Sequence, residues 1–411
     1  MSVFAIILGA LIIGDAAWWW RVDRWLAGER RLRPWRALHA VVMLAACAGL
    51  AALIGSRMGW FAEEVLPRAV SAYVYVWHLL VLPLVLVGWL CAALGSGARW
   101  VVRRVGGGAA SKGALEPAPS GDGMSRRGFL QAAAGATPAL FAVGATGAGM
   151  AQMEGFRIRE LEVRLPGLPE ALEGATIAHV SDVHVGRFTR GAVLERIVEE
   201  TNRLEADLVL FTGDLINYSM ADLPPGLELL KALRARSGVF AVEGNHDLFV
   251  DPAGFRRETS RVVPLLVNEA AAVQVRGCAV DLLGMGWASD GMRGAGGTHG
   301  GGRMGMEAAV GRLMEQRRAG AYPILMAHHP HAFDHAGDVP LTLAGHTHGG
   351  QLMLSEGLGC GPVMFRYWSG LYRSGGRALV VSNGVGNWFP VRTAAPAEIA
   401  RLTLRRAVRQ G

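Results

Sequence analysis

The pattern of apolar and polar positions divides the chain into two unlike parts. Up to Leu94 the apolar residues run in long blocks with almost no charge. One covers Val3 to Trp20, broken only by Asp15 and closed by three tryptophans; a second covers Ala37 to Gly55; a third covers Ala69 to Leu94, with a kink expected at Pro83. Such blocks match the thickness of a bilayer, and terminal tryptophans suit its interface. Three so close together argue against buried helices of a soluble domain and define a three-span transmembrane anchor, residues 1–94. Asp15 and His78 fall at membrane depth, where a polar side chain either serves a function or pairs within the bundle. Residues 95–124 turn to Gly, Ala, Ser and Pro with scattered Arg, the composition of a flexible linker. Then SRRGFLQ, Ser125 to Gln131, leads an Ala/Gly-rich apolar segment to Met150. Residues 125–150 are thus a twin-arginine export signal placed internally or a fourth anchor helix.

Beyond Met150 the pattern becomes that of an α/β domain, residues 151–411. Short apolar runs (IRELEVRL, TIAHVS, LVLFTG, GVFAVEG, VDLLGMG, PILMAHH, LTLAGH, ALVVSNG) read as strands. Between them lie helical candidates at Val193 to Leu204, Leu227 to Arg236 and Met306 to Arg318. Alternation of this kind predicts sheets covered by helices. Ser289 to Gly305, Gly-rich with Arg293, His299 and Arg303, reads as a mobile surface loop.

Charge adds topology. The net charge of +7 is concentrated: six arginines lie between Arg21 and Arg36, and six basic residues between Arg99 and Arg127. Both groups flank apolar blocks, so they are read as cytoplasm-facing anchor charges and not as a nucleic-acid footprint. The positive-inside rule then puts the N-terminus outside, and the chain after about Met153 on the outer face of the cytoplasmic membrane. Composition agrees with a membrane protein, at 51% hydrophobic residues and mean hydropathy +0.27. Cys47, Cys91, Cys278 and Cys360 have no CxxC spacing, which argues against a disulfide framework or a zinc-finger site.

The chemistry is carried by five segments, each placing polar residues directly after an apolar run: SDVH (Asp182, His184), TGDL (Asp214), GNHD (Asn245, His246, Asp247), AHHP (His328, His329) and GHTHGG (His346, His348). In an α/β sheet, ligand residues gather at strand ends along one edge, so five such segments can meet. Glycines at 213, 244, 345, 349 and 350 permit the sharp turns this needs. Carboxylate oxygen with imidazole nitrogen suits divalent metal ions.

The order D-x-H, G-D, G-N-H-D, H, G-H-x-H resembles the calcineurin-like metallophosphoesterase superfamily. The tail GHTHGGQ with GLYRSGGRALVVSNGVGNWFPVRTAAPAEI is similar to its membrane-associated bacterial YkuE/YaeI-like phosphodiesterase branch. The likeness covers about Ile177 to Pro396. It implies a four-layer α/β/β/α sandwich and a site for two divalent ions, with Mn, Fe, Zn and Mg all open. By motif match, Asp182, His184 and His348 would hold one ion, Asp214 would bridge, and Asn245, His328 and His346 would hold the other. A shared carboxylate offsets the repulsion of two cations roughly 3.5–4 Å apart. His246 would face the substrate, stabilising the transition state or protonating the leaving oxygen. Asp247 would orient it, or cap the helix that follows. Asn217 and Asp247 stand where the Ser/Thr protein phosphatase branch has Asp and Glu, which argues against that activity. His329 is the neighbour that could exchange ligand duty with His328. Arg392, near Asn383 and Trp388, could bind a substrate phosphate or form a structural salt bridge.

The expectation is a membrane-anchored hydrolase. It would cleave phosphodiesters or lipid- or sugar-nucleotide diphosphates with a metal-bound hydroxide, its partners being the membrane, a phosphoester substrate, lipid-linked or not, and the twin-arginine export machinery. The alternative is a membrane protein with a non-catalytic metal-binding scaffold. A transporter finds little support without internal repeats or paired polar positions.

Overall fold

The computed structural model describes residues 3–57, 65–105, 126–287 and 303–407. The chain forms two compact units, Met1–Met150 and Ala151–Gly411.

The first unit is helical: α1 (Val3–Gly28), α2 (Trp35–Arg57), α3 (Arg68–Val76), α4 (Leu82–Val105) and α5 (Arg126–Gln152). Three helical stretches among the described residues are long and apolar enough to cross a membrane: Trp35–Ser56, Arg68–Arg99 and Gly128–Gln152. A π-helical turn, Trp77–Val81, joins α3 to α4 just before Pro83. Proline has no N–H to continue the ladder there, and a wider turn is one way for a helix to absorb that gap. The turn places Trp77 and His78 beside Asp15. Asp15 accepts from Trp77 Nε1 at 2.9 Å and meets His78 Nε2 at 2.9 Å, while His78 Nδ1 donates to the Val74 carbonyl at 2.8 Å. All three side chains are buried, so the polar residues expected at membrane depth satisfy one another. Asp15→Ala strips two buried donors of their acceptor. A loss of roughly 3 kcal/mol is expected, read as a lower melting temperature in detergent, whereas an exposed Ile13→Ala barely moves it.

One boundary differs from expectation. Residues 95–105, assigned above to the linker, continue α4. Glycine in a helix costs about 1 kcal/mol. Gly95 and Gly97 are too few to stop a helix already running through Ala, Arg, Trp and Val, and Ser96 bonds back to the Ala92 carbonyl at 2.7 Å. The rest of the linker, Ser125 of the twin-arginine motif, and most of Ser289–Gly305, including Arg293 and His299, lie outside the described residues.

The second unit holds two sheets. Its strands are β1 (Arg157–Leu165), β2 (Thr176–Val180), β3 (Leu208–Thr212), β4 (Val239–Val242), β5 (Glu269–Val275), β6 (Cys278–Gly284), β7 (Tyr322–Met326) and β8 (Leu341–Ala344). They continue with β9 (Met353–Ser355), β10 (Leu358–Gly359), β11 (Gly370–Ser374), β12 (Arg377–Val381) and β13 (Glu398–Arg406). One sheet has the order β1-β13-β2-β3-β4, the other β11-β12-β8-β7-β6-β5; β9 and β10 form a separate hairpin. Ile177, Leu208 and Leu210 of the first sheet pack against Val280, Leu282, Ile324 and Leu343 of the second. The opposite faces are covered too. Ala178, Val180 and Val209 lie under α6 (Ala192–Arg203), α7 (Leu223–Ala232) and α8 (Pro252–Thr259). Leu283 and Leu325 lie under α9 (Arg303–Glu315) and α10 (Ala332–His335). The result is the α/β/β/α sandwich that the sequence led us to expect. Burial on both faces explains why the central strands are continuous apolar runs. The parallel strands β2, β3 and β4, and likewise β6, β7 and β8, all end at the same edge of their sheet. That common edge collects the polar motifs.

Candidate metal centre

The loops after β2 and β3 are tied to each other by backbone bonds, Asp182 N–H to the Gly213 carbonyl (2.9 Å) and His184 N–H to the Asp214 carbonyl (3.0 Å). Asp182, His184, Asp214, His346 and His348 all have left-handed backbone, with φ between 48° and 73°. For non-glycine residues this costs of order 1–2 kcal/mol each, and it persists where surrounding structure enforces it, characteristically at functional sites. Here it swings each side chain off its strand end toward a common point. Glycine is required between them: a Cβ on Gly244 would overlap the Asp214 carboxylate, and one on Gly345 would overlap Ser181 and Asp182.

Two groups of potential ligand atoms result, Asp182/His184/His348 and Asp214/His328/His346, with His184, Asp214 and His246 forming a third between them. Asp214 is central. Its Oδ2 lies 3.1 Å from His328 Nε2 and 3.5 Å from His184 Nε2, and its Oδ1 accepts from the His246 N–H at 2.8 Å. Asp182 Oδ1 lies 3.3 Å from His348 Nε2, and Ser181 Oγ–H donates to Asp182 Oδ2 at 2.5 Å. His328 Nδ1 donates to the Thr212 carbonyl at 2.6 Å, which turns Nε2 toward the cluster. His328, not His329, joins the group; His329 Nδ1 instead accepts from the His331 N–H at 3.2 Å.

The electrostatics ask for cations. Burial pushes Asp182 and Asp214 upward, yet the imidazoles around them hold both below the usual carboxylate range. Burial keeps His246 at about 4 and His346 at about 3, so these rings are neutral and have lone pairs to offer. Burial also opposes charge on His328, but Asp214 and Asp182 raise it to about 9: the carboxylates draw in a proton where a cation would serve. Asn245 Oδ1 is buried without a hydrogen-bond partner. A mixed O/N donor set with an orphaned acceptor fits divalent metal ions.

Two side chains, Asp247 and Arg392, make contacts other than their sequence positions suggested. Asp247 does not touch the His246 side chain. Its buried carboxylate accepts the N–H groups of Asp214 (2.9 Å), Ile216 (3.0 Å) and Gly244 (2.9 Å), bracing the two turns that carry Asp214 and Asn245. Its proximity in sequence suggested an orienting role, but in the turn its side chain points back into the loop. His246 instead gives Nδ1–H to the Asn217 carbonyl at 2.6 Å, leaving Nε2 free, and packs against Phe249 at 4.7 Å.

Among the described residues Arg392 forms no salt bridge. It is buried and donates to Asn387 Oδ1 (2.9 Å) and to the carbonyls of Asn383 (2.8 Å) and Gly386 (2.6 Å); Nη2 also lies 2.8 Å from His348 Nδ1. Burial lowers it to about 10, still protonated at neutral pH. Arg392→Leu leaves these acceptors unpaired. The expected result is a loss of roughly 3 kcal/mol in stability with weaker metal retention, measured by denaturant unfolding and metal analysis, not a selective rise in KM. Asn383 is structural as well, accepting from Ser369 Oγ at 2.6 Å and donating to the Pro396 carbonyl at 3.1 Å.

Trp287 escaped the sequence reading. Its ring lies 5.0 Å from His346 and 5.4 Å from His328, and its backbone N–H donates to Glu243 Oε1 at 3.2 Å. The only signal was a tryptophan just past the end of β6.

Residues 175–350 match the profile of the calcineurin-like phosphoesterase family. The chain therefore carries a calcineurin-like metallophosphoesterase domain, as its motif order implied. Among its relatives is "Transmembrane protein with metallophosphoesterase domain" of Danio rerio, 30% identical over 61% of this chain and 58% of that protein. Two bacterial proteins align over nearly their whole length. "Uncharacterized metallophosphoesterase YkuE" of Bacillus subtilis is 27% identical over 69% of this chain and 98% of its own. "Phosphodiesterase YaeI" of Escherichia coli is 28% identical over 68% and 99%. The chain spans less than two thirds of the length of the Danio rerio relative.

Proposed function

We propose that this chain is a membrane-anchored, two-metal phosphoesterase that hydrolyses phosphodiesters or the diphosphate bonds of lipid- or sugar-nucleotide conjugates. The observation that carries the reading is the convergence of two ligand groups on Asp214, the carboxylate that lies between them. Asp182, His184 and His348 would hold one divalent ion, Asn245, His328 and His346 the other, and Asp214 both. Such ions supply Lewis-acid charge to phosphoryl oxygens and lower the pKa of water. The chain's own residues do the rest. Trp287 walls the cluster on the side of His328 and His346, which limits water there. His246 presents Nε2 to the substrate, its ring fixed by the Asn217 carbonyl, and serves the leaving oxygen.

The three stretches able to span a membrane support a multi-pass anchor. The basic loops support a domain on the outer face of the cytoplasmic membrane, and Arg126 and Arg127 at the start of α5 support delivery by twin-arginine export. YaeI's name as a phosphodiesterase supports a diester substrate. The test is metal analysis of the detergent-purified full chain, with hydrolysis of bis-p-nitrophenyl phosphate and of the monoester across Mn, Zn, Fe and Mg. Diester cleavage dependent on bound metal is expected. A folded, metal-loaded chain inert toward both esters would turn the reading to a non-catalytic binding module.

A further inference from the structure

The last apolar stretch able to span a membrane ends at Gln152, and β1 begins at Arg157. Only Met153–Phe156 lie between, which at full extension reach ~14 Å. The sheet register shows where this short tether enters. β1 is parallel to β13, with Arg157 opposite Glu398, and β13 is antiparallel to β2, with Ala400 opposite His179. The first residues of β1 therefore stand at the edge where β2 ends and Asp182 begins. Asn387 Nδ2 fastens the entry by donating to the Met153 carbonyl at 2.9 Å. So the chain leaves the bilayer and arrives within one short tether at the metal-site edge, not at the opposite one.

That edge carries an unusual surface. Directly after the His346–Gly350 turn, the chain makes an excursion through the β9–β10 hairpin and α11 (Cys360–Met364), returning at Phe365, whose ring is 6.2 Å from His346. Leu354 is 82% and Val363 85% exposed, and Leu358 and Met364 are exposed beside them. Single exposed apolar residues are ordinary, but a run of them on one excursion marks an interaction site. The excursion is built, not frayed. Met353 N–H donates to Thr393 Oγ1 at 2.9 Å, Met353 Sδ accepts from Gly361 N–H at 3.2 Å, and Trp368 Nε1 donates to the Glu356 carbonyl at 3.2 Å. The loop after His246 exposes Phe249 and Val250 as well.

From the tether and the apolar rim together we infer that the Leu352–Phe365 excursion docks the domain onto the bilayer that anchors the chain. It seats Leu354, Leu358, Val363 and Met364 among the acyl chains and turns the metal edge to the headgroup layer. The occupant is the lipid surface itself, because the chain passes from the last apolar stretch to this edge through four residues. This rests on the phosphoesterase reading and sharpens it: the substrate is a phosphoester headgroup carried in the membrane.

The test uses the full chain in phospholipid nanodiscs, with the four native cysteines replaced and an environment-sensitive fluorophore on Val363→Cys or, as a control, on Glu170→Cys. Glu170 is exposed and follows the C-terminal end of β1, at the opposite edge. Doxyl-labelled lipids are expected to quench the probe at 363 and leave that at 170 unaffected. Equal water exposure at both positions overturns the proposal, as does shielding at 363 that requires two copies per nanodisc. In parallel, the Leu354→Asp/Val363→Asp double variant should hydrolyse soluble bis-p-nitrophenyl phosphate at the parental rate. It should lose at least about tenfold on a diacyl phosphodiester embedded in the disc, and equal rates on both substrates overturn the docking role. If the parent cleaves no diester, the phosphoesterase reading fails, while the quenching experiment still judges the docking.

Discussion

Asp214→Asn is expected to strip metal from both halves of the centre and to reduce diester hydrolysis by more than about a hundredfold, the upper range seen even for outer partners of metal ligands. The substitution is nearly isosteric, so Oδ1 can still accept the His246 N–H, now made at 2.8 Å, and the turn should fold. What disappears is the charge. Asp214 Oδ2 faces His328 Nε2 at 3.1 Å and His184 Nε2 at 3.5 Å, residues of the two different ligand groups. A neutral amide there leaves Asp182 as the one carboxylate of the cluster and no anion to offset repulsion between two cations. Metal analysis should show both ions lost together. Loss of one ion with the other retained would mean that Asp214 serves a single site. The Asp182→Asn variant is the control, because its carboxylate approaches His348 at 3.3 Å and belongs to one group, so one ion should remain.

Much of this centre could be read from the sequence because strand periodicity does the placing. An apolar run buried on both faces must end at the sheet edge, and SDVH, TGDL and GNHD each begin where such a run stops. Alternating strands and helices made sheets covered by helices legible for the same reason, while the four-layer order came from the family resemblance. What the sequence hid was long-range or carried by the backbone. Asp182 and His346 are separated by 164 positions yet meet at 3.1 Å through the His346 N–H. Asp247 binds three peptide N–H groups, which have no residue-type signature, so its chemistry looked like that of a partner for its neighbour. Arg392 is likewise spent on carbonyls, and its guanidinium suggested a phosphate only because composition cannot show burial. The end of α4 was hidden because Gly and Ser carry a breaker signal that a helix already formed absorbs.

His246→Ala separates ligand from acid. The ring sits beside both groups: it lies 4.6 Å from the His184 ring, and it shares a potential ligand group with His184 and Asp214. If it protonates the leaving oxygen, its removal should leave metal content at the parental level and slow turnover by about 10²–10⁴, the range for a positioned general acid. The size must then depend on the leaving group. Nitrophenolate departs readily without a proton, so bis-p-nitrophenyl phosphate should lose least, while a dialkyl phosphate, whose alkoxide needs the proton, should lose most. His246→Gln, which can donate from its amide but cannot give up a proton, should behave like alanine on the alkyl ester. Equal losses on both esters with full metal content would assign His246 to charge stabilisation in the transition state. A drop in bound metal would make it a ligand. The bond from Nδ1–H to the Asn217 carbonyl fixes the ring and leaves Nε2 as the nitrogen that meets the substrate; the neutral ring keeps its one proton on Nδ1, so acid catalysis requires the imidazolium and should strengthen as pH falls toward about 4.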